Sequence, residues 1–521
     1  MSIGLAQHAP ELVRESRTRD WILCLGLVVA YAGAYLCLRM AWPNTLHSDE
    51  SEQVVFSQTL LLGYSQQPPL YTWLVWLFFQ AFGMSLGVLV LLRALILACI
   101  CVFHFLFARS VLGEQRLAAL ATFALLLMYQ LSTSMLFDNT HTMLLSAVGM
   151  ATGYLFIHLA ISGRTIYYVL LGLVLGLGGL SKYNYAVLVG AFLVAGLSLK
   201  PFRARLLDAR IVLTILLAAA LVFPHVHWLV GHRALVYNAI AERTQVDQSN
   251  SFPHAALLGS CSLASKSFVI LSPLWLIFLI IFPQGLRSRL PSDDARRFLA
   301  RLFPISMATM LATILTLGAT SVKFRHVQPF LMLFPIYYLG RLAAPAITPA
   351  KLRTLACSVV VCMLIAFADV HGRRALNSSR QEGVFGVPIM LEYRLQRSYH
   401  YQSFAGHANQ LTAAGFRGGT IIAGDCETAG KLRLLFPHDR VLCVEFVAFR
   451  PPCVDPWGQS VVVWRADEDR RLPPDLEAYV TGELGLALPP SETYLFTDPQ
   501  VPASALFPVR LGFVLLNEQP D

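Results

Sequence analysis

Long apolar runs dominate the chain up to about residue 370, and short polar loops separate them. A helix of roughly 20 apolar residues is long enough to cross the hydrocarbon core of a bilayer. The runs predict about 11 such spans, which lie near residues 21–41, 86–107, 117–136, 141–161, 166–180, 185–199, 211–229, 263–281, 302–317, 329–342 and 355–369. The pattern therefore predicts an α-helical polytopic membrane protein.

The apolar segment 69–82 is too short to be read as another span, and it is rich in aromatic residues. It carries Tyr71, Trp73 and Trp76, and such side chains favour the level of the lipid headgroups. We expect a juxtamembrane helix here, lying in the membrane interface within a first outer loop at 43–85.

The pattern changes at residue 371 to that of a soluble domain. Extended patterns at 419–423, 440–446, 460–464, 493–497 and 513–517 alternate with helical patterns at 392–415 and 427–435. Such alternation predicts a small α/β fold. The predicted organisation is an N-terminal segment (1–20), a transmembrane domain (21–370) and a C-terminal α/β domain (371–521).

Composition supports a membrane protein. Hydrophobic residues make up 56% of the chain and charged residues 14%, and the mean hydropathy is +0.57, values that soluble domains do not have. The net charge of +9 could indicate a nucleic-acid partner, but the basic residues lie in short loops between the apolar runs. Charges in that position orient helices in the membrane, so nucleic-acid binding is not expected.

The distribution of basic residues between alternate loops predicts the orientation. The loops on the N-terminal side carry Arg109, Arg116, Arg164, Lys200, Arg203, Arg205, Arg210, Arg287, Arg289, Arg296, Arg297, Arg301, Arg341, Lys351 and Arg353. The opposite loops carry Lys182, Arg233, Arg243, Lys323 and Arg325. Because cytoplasmic loops are enriched in Lys and Arg, we expect a cytoplasmic N-terminus and a periplasmic C-terminal domain. Short loops and the absence of an eukaryotic retention signal favour the bacterial inner membrane.

Three carboxylates follow the first predicted span directly: Asp49, Glu50 and Glu52. Acidic residues are scarce elsewhere in the first half of the chain, and ionisable groups at the mouth of a span indicate a functional site. The alternative is an ordinary solvated loop, in which Ser48 and Asp49 cap the helix that follows.

Further polar residues recur at the predicted outer surface: Asp138, Asn139 and His141; Lys182; Lys323, Arg325 and His326; and the loop 231–260. Taken singly, each could be an interfacial side chain that reaches for water. Together they supply a carboxylate pole and a cationic pole at headgroup depth. Such a pair suits a substrate hydroxyl that must lose a proton and a lipid phosphate that must be held.

Six sequence features, in order, resemble a known family: Asp49-Glu50, Gly63-Tyr64, Pro-Pro-Leu-Tyr-Thr-Trp-Leu at 68–74, Asp138-Asn139, Gly-Leu-Gly-Gly-Leu-Ser-Lys-Tyr at 176–183, and His326 before a proline-rich span. They resemble the polytopic glycosyltransferases of the GT-C type. Within these, the chain is most similar to the group of protein O-mannosyltransferases and lipid A aminoarabinose transferases. The resemblance covers residues 21–342.

The resemblance implies a polyprenyl-phosphate-linked sugar donor, an acceptor hydroxyl on a lipid, glycan or protein, and inversion at the anomeric carbon. By position, Asp49 matches the general base, Glu50 its neighbour and Asp138 the second acid. The residues that match the surroundings of the donor and its phosphate are Lys182, Lys323, Arg325, His326, Gln67 and Tyr64. The family often has His or Lys at the position of Gln67. No nucleotide or redox cofactor is required, and a divalent metal stays open because no ligand set is evident.

The sequence leaves two other functions open. A secondary transporter would place its ionisable groups near the bilayer midplane and often show inverted repeats, whereas these charges lie at one face. A sugar polymerase or ligase of another membrane fold is the second. In the C-terminal part, Cys426, Cys443 and Cys453 permit one disulfide and a leftover thiol, and no spacing predicts a metal site.

Overall fold

The computed structural model describes residues 26, 28–40, 45–64, 66–128, 131, 138–234, 252–286, 293–342, 346–378, 403–453, 458–467, 469–498 and 509–517. The predicted segment 1–20, the middle of the loop 231–260 and the first part of the predicted helix 392–415 lie outside these residues. The chain forms two compact units. The helical unit comprises Met1–Tyr35, Gln66–Leu70 and Arg93–Ala366, and the mixed unit comprises Leu36–Ser65, Tyr71–Leu92 and Phe367–Asp521.

Up to residue 378, the described elements are helices: α1 (Val28–Met40), α2 (Ser48–Phe56), α3 (Leu70–Phe82), α4 (Leu86–Leu112), α5 (Gln115–Phe123), α6 (Thr140–Ser162), α7 (Thr165–Gly179), α8 (Tyr185–Leu197), α9 (Lys200–Leu206), α10 (Ile211–Gly231), α11 (Phe252–Leu271), α12 (Leu274–Ile281), α13 (Asp294–Leu317), α14 (Phe324–Leu331), α15 (Phe334–Gly340) and α16 (Pro349–Ser378). Short 3₁₀ turns follow α5 and α12, at Ala124–Leu127 and Pro283–Leu286.

Five of the described helices are long and apolar enough to cross a membrane: α4, α6, α10, α11 and α13. A sixth crossing results if α8 and α9, which meet at a bend of 118°, form one broken span. The protein is therefore a mostly helical, multi-pass membrane protein, but the predicted number of about 11 spans is not confirmed.

Sequence breaks inside the apolar runs account for part of the difference. The predicted span 329–342 consists of two short helices, α14 and α15, in a stretch that contains Pro329 and Pro335. Proline lacks an amide hydrogen and disrupts a continuous helix. At 1.5 Å per residue, a helix of 13 to 15 residues, such as α7 or α8, is shorter than the hydrocarbon core.

Helix packing in the helical unit joins the elements that carry the predicted polar residues. Helix α7 packs on α6 and α10, α8 packs on α13, and α11 and α6 both pack on α14. The turn 180–184 links α7 to α8, as the Gly-rich sequence predicts. The main chain of this turn also meets the residues before α3, where the Leu70 amide donates to the Leu180 carbonyl at 3.1 Å.

The C-terminal part of the mixed unit has the elements α17 (Ala405–Ala413), β1 (Gly419–Ala423), α18 (Cys426–Leu435), β2 (Arg440–Cys443), β3 (Gln459–Arg465), α19 (Pro474–Ala478), β4 (Leu495–Phe496) and β5 (Leu511–Leu516). The strands form one sheet in the order β2-β1-β3-β5-β4. The pairs β1–β2 and β1–β3 are parallel, and β5 is antiparallel to β3 and β4.

The five predicted strands are all present in this sheet. The second is shorter than the prediction, because Val444–Phe446 forms a 3₁₀ turn after β2. The fourth is shorter as well, because Ser491–Thr493 forms a 3₁₀ turn before β4. Alternate residues of β1 serve two cores: Ile421 belongs to one hydrophobic cluster and Ile422 to another. The period-two alternation of a strand sends successive side chains to opposite faces, so the sheet is buried on both sides. Whether a domain boundary falls at residue 371 stays a prediction.

Candidate active site

Lys182 is buried, at 4% exposure, in the turn between α7 and α8. Its Nζ donates to Thr142 Oγ1 on α6 at 2.6 Å. The turn is tight: a Cβ on Gly178 would lie 2.1 Å from the Tyr185 ring, and Ser181 Oγ donates to the Gly178 carbonyl at 2.7 Å. A lysine held in this way differs from the solvated side chain at a helix end that the alternative interpretation assumed.

The N-terminal turn of α14 meets the same turn of the chain. Asn184 Nδ2 donates to the His326 carbonyl at 3.2 Å, and Thr142 Oγ1 donates to the Arg325 carbonyl at 3.4 Å. Thr142, the hydrogen-bond partner of Lys182, and Asn184 thus bring the first turn of α14 next to the lysine turn, through the main-chain carbonyl oxygens of that helix.

A cavity of about 210 Å³ opens beside this region. Its polar lining includes Gln66, Gln67, Lys182, Asn184 and His326, and its apolar lining includes Val187, Met310, Ile314, Leu317, Ala319 and Val322. Three predicted site residues, Gln67, Lys182 and His326, are thus brought together. Lys323 and Arg325 are not part of the lining. The lining combines the Lys182 ammonium group with several aliphatic side chains, a composition that suits an anionic lipid headgroup.

His141 lies close to the lysine turn in the helical unit, three residues after Asp138. His141 Nδ1 is 3.3 Å from the Ser181 carbonyl, next to Lys182. Between the two residues, Asn139 adopts φ 70°, a left-handed conformation that non-glycine residues rarely occupy. Strained backbone of this kind clusters at functional sites.

Arg93 fixes the segment that carries Asp138, and the sequence prediction missed it. It is fully buried on α4; one guanidinium nitrogen donates to the Asp138 carbonyl at 2.9 Å and Nε donates to Tyr35 Oη at 3.1 Å. One charged residue changes the mean hydropathy of the run 86–107 only slightly, so the run predicts an ordinary span. A charged residue inside a span is nevertheless a sign of a functional site. Lys266 on α11 was missed in the same way; its Nζ lies 4.5 Å from the Phe324 ring centroid.

Asp49 and Glu50 lie in the first turn of α2 in the mixed unit, and the two carboxylates have different environments. Glu50 is 1% exposed; its Oε2 accepts from Arg39 at 2.8 Å and from the His47 amide at 3.1 Å. Arg39 also donates to the Thr45 carbonyl at 2.7 Å. Asp49 is half-buried in the first turn. Glu50 thus caps the N-terminus of α2 and forms a buried ion pair with Arg39, whereas Asp49 is partly exposed to solvent.

Tyr64 also belongs to the mixed unit. Its hydroxyl donates to the Thr59 carbonyl at 2.9 Å and accepts from the Leu61 amide at 3.0 Å. Its ring centroid lies 5.4 Å from that of Phe56. Burial raises the pKa of Tyr64 to about 12, so the phenol stays protonated and holds the loop after α2.

For the described part of the chain, the sequence indicates no evident metal-ligand set and leaves the cysteine pairing open. Within it, no group of three or more His, Cys, Asp or Glu side chains is arranged to hold a metal ion. Cys426, Cys443 and Cys453 are all free thiols. The pKa of Cys426 is raised by burial and by the neighbouring Cys443 thiol.

Comparison with known proteins defines the class. Residues 66–228 match the family described as dolichyl-phosphate-mannose-protein mannosyltransferase. The fold is similar to the crystal structure of ArnT from Cupriavidus metallidurans bound to undecaprenyl phosphate, with a TM-score of 0.57 and 16% identity over 94% of this chain and 98% of that one. The fold is therefore that of the GT-C membrane proteins, as the resemblance predicts.

Two curated relatives define the family more closely. The chain is 30% identical to the lipopolysaccharide core galacturonosyltransferase RgtB of Rhizobium johnstonii over 97% of this chain and 99% of the relative. It is 30% identical to RgtA of the same organism, over 84% and 86% of the two chains. The chain belongs to the family of these glycosyltransferases, which confirms the predicted enzyme class and disfavours the transporter.

Proposed function

We propose that this enzyme transfers a uronosyl residue, such as galacturonosyl, from a polyprenyl-phosphate-linked donor to a hydroxyl group of the lipopolysaccharide core. The names of RgtA and RgtB support the sugar and the acceptor. The undecaprenyl phosphate bound to ArnT supports the lipid carrier. The observation that carries the proposal is the buried Lys182 in the lining of a cavity that also has several aliphatic side chains.

Lys182 and His326 are proposed to hold the donor phosphate, with Gln67 as a neutral partner and Lys323 and Arg325 nearby in sequence. The aliphatic wall formed by Met310, Ile314 and Leu317 would receive the first isoprene units. A fixed cation in a site from which water is excluded stabilises the charge that develops on the departing phosphate more strongly than it would in water.

Asp49 is proposed as the general base. The acceptor hydroxyl attacks the anomeric carbon and a new C–O bond forms as the bond from that carbon to the phosphate oxygen breaks. The hydroxyl proton passes to the Asp49 carboxylate, and polyprenyl phosphate leaves with the bonding electron pair. One displacement inverts the anomeric centre. Asp138 is proposed as the second acid, while Glu50 and Tyr64 shape the loop around Asp49.

The membrane arrangement completes the proposal. We place the N-terminus in the cytoplasm and residues 371–521 in the periplasm of a bacterial inner membrane, with about 11 crossings. Loop charge supports this orientation. The acceptor would then be met at the outer face of that membrane, where lipid-linked sugars are exposed to periplasmic acceptors.

Mass spectrometry of the lipopolysaccharide core tests the proposal in cells. A strain that lacks the protein should lose one hexuronate unit from the core, and the wild-type gene should restore it. Asp49→Asn, made at equal abundance in the membrane, should not restore it. Identical core masses in all three strains would contradict the proposed acceptor and sugar.

A further inference from the structure

Helix α2, which carries Asp49, packs closely on α18 of the same compact unit. The contact is at backbone level: a Cβ added to Gly430 would lie 2.4 Å from Ser51 Cα and 2.8 Å from the Ser51 carbonyl oxygen. Side-chain rotation cannot relieve a clash with main-chain atoms. Gly430 therefore limits how closely α18 can approach α2. The contact falls at Ser51, two residues after Asp49 in the sequence.

The chain just after α2 is bound to the edge of the sheet. Val441 lies in β2, an edge strand. Its amide donates to Gln58 Oε1 at 2.8 Å, and Gln58 Nε2 donates to the Val441 carbonyl at 2.9 Å. One side chain thus satisfies both outward backbone groups of an edge residue, as a neighbouring strand would.

A third attachment is aromatic. Phe56, the last residue of α2, lies 4.6 Å from Phe446 and 5.0 Å from Phe449, measured between ring centroids. Val55 and Phe56 are fully buried in the hydrophobic cluster that also holds Ile421 and Val461 of the sheet. On its other side, α2 is held by Thr72 of α3, whose Oγ1 donates to Gln53 Oε1 at 2.7 Å.

We infer that the C-terminal α/β part of the chain positions the catalytic base: it holds α2 at three points and so sets where the Asp49 carboxylate lies in the reaction. Gly430 and Gln58 are then positioning residues, which touch no substrate and act through Asp49. The inference rests on the proposed role of Asp49. Because a displacement of about 1 Å at a reacting group can cost up to 100-fold in rate, loosening α2 should lower turnover.

The experiment compares Gly430→Ala with Gly482→Ala. An added Cβ at Gly482 meets no atom within 4 Å, so this variant adds the same methyl group to the same unit without a clash. Gly430→Ala should lower kcat about 10- to 100-fold. KM for the lipid donor should stay within about twofold, because the residues proposed to bind the donor phosphate are not among those that hold α2. Gly482→Ala should behave as the wild type.

A double variant separates positioning from a general structural effect. If Gly430 acts through Asp49, Gly430→Ala should have no further effect on the residual rate of Asp49→Asn, since the group being positioned is already lost. Where Gly430→Ala does not reach the membrane, Gln58→Met replaces it. Methionine keeps the length of the side chain and removes both hydrogen bonds to Val441, and the same kcat loss is expected.

The outcomes are distinguishable. An inactive Asp49→Asn together with full activity of folded Gly430→Ala and Gln58→Met would overturn the positioning role and leave the proposed function intact. An equal loss from Gly430→Ala in the wild-type and Asp49→Asn backgrounds would overturn it as well, because the effect would not pass through Asp49. Full activity of Asp49→Asn would instead remove the proposed base.

Discussion

Lys182 Nζ donates a hydrogen bond of 2.6 Å to Thr142 Oγ1, and both side chains are buried. Thr142 in turn donates to the Arg325 carbonyl, so one hydroxyl connects the lysine turn to the start of α14. The ammonium group is therefore held in place before any ligand binds. A pre-ordered cation loses less side-chain entropy on binding than a mobile one.

Replacing Lys182 should weaken the use of the lipid donor. Lys182→Gln removes a charge-assisted contact worth about 1.5 to 3 kcal/mol, or about 10- to 150-fold in donor use. Lys182→Arg should be milder, since the charge survives while the geometry changes. The measurement is transfer rate against donor concentration at matched expression, with the exposed Lys200→Gln as control. A Lys182→Gln enzyme that titrates donor as the wild type does would place the cationic pole elsewhere.

Substitutions of Asp49 and Glu50 should have different effects, the first on turnover and the second on stability. Asp49→Asn should fold normally and lose roughly 100-fold or more in turnover, as expected when a general base is removed. Glu50→Gln should lower the stability of the protein instead, because buried Arg39 loses its ion pair. Breaking a buried pair typically costs about 3 to 5 kcal/mol.

Thermal unfolding and turnover, measured on the same detergent-purified samples, separate the two effects. The pair Arg39→Met with Glu50→Leu removes both charges and should recover much of the stability that Glu50→Gln loses. Equal unfolding temperatures for the wild type and Glu50→Gln would contradict the structural assignment.

Much of the sheet was predictable because its signals are local. Strand β1 is a run of Thr420, Ile421 and Ile422 between glycines, and such β-branched runs bounded by turn residues favour strands. Lys182 was found for a similar reason, since a charge in a Gly-rich turn between apolar runs is visible in the sequence.

Contacts between distant parts of the chain were not predictable. Arg39 and Arg93 lie in apolar runs, where one charge barely changes the local hydropathy, and their roles depend on partners on other elements. Gly430 gave no signal either, because its importance depends on Ser51, which is remote in sequence. The sequence determines such packing, but no local pattern of residues indicates which distant residues will be in contact.

The pH dependence of stability should show a contribution from His407 in the C-terminal part. Its Nδ1 lies 2.8 Å from Thr497 Oγ1, and burial lowers its pKa from 6.5 to about 4. Between these values the unfolded chain binds the proton and the native protein does not. Stability should therefore fall as the pH drops from about 6.5 to 4, by roughly 3 kcal/mol from this group.

The comparison of the wild type with His407→Asn isolates that contribution. Burial raises the pKa values of Asp425, Asp439 and Glu445, and these carboxyl groups oppose the trend equally in both proteins. Unfolding temperature should depend less on pH between 4 and 6.5 in the variant. Parallel curves for the two proteins would exclude His407 as the source.

The proposed orientation predicts the behaviour of reporter fusions. A reporter that is active only in the periplasm should be active when fused after Pro473 and inactive when fused after Arg289, because loop charge assigns these positions to opposite sides. Fusion protein abundance, measured by immunoblot, is the control. The reverse pattern would contradict the proposed orientation in the membrane and, with it, the proposed site at the outer face.

Reconstitution of the purified enzyme in lipid nanodiscs shows whether the transferred sugar comes from a lipid-linked donor. The enzyme would receive a lipopolysaccharide core acceptor with either polyprenyl-phosphate-linked galacturonic acid or the nucleotide-linked sugar, and Asp49→Asn would serve as the inactive control. We predict transfer from the lipid-linked donor alone, with a product anomer opposite to that of the donor by NMR. Equal transfer from the nucleotide-linked sugar would contradict the proposed lipid-linked donor, and retention of the donor anomer would contradict the proposed single displacement.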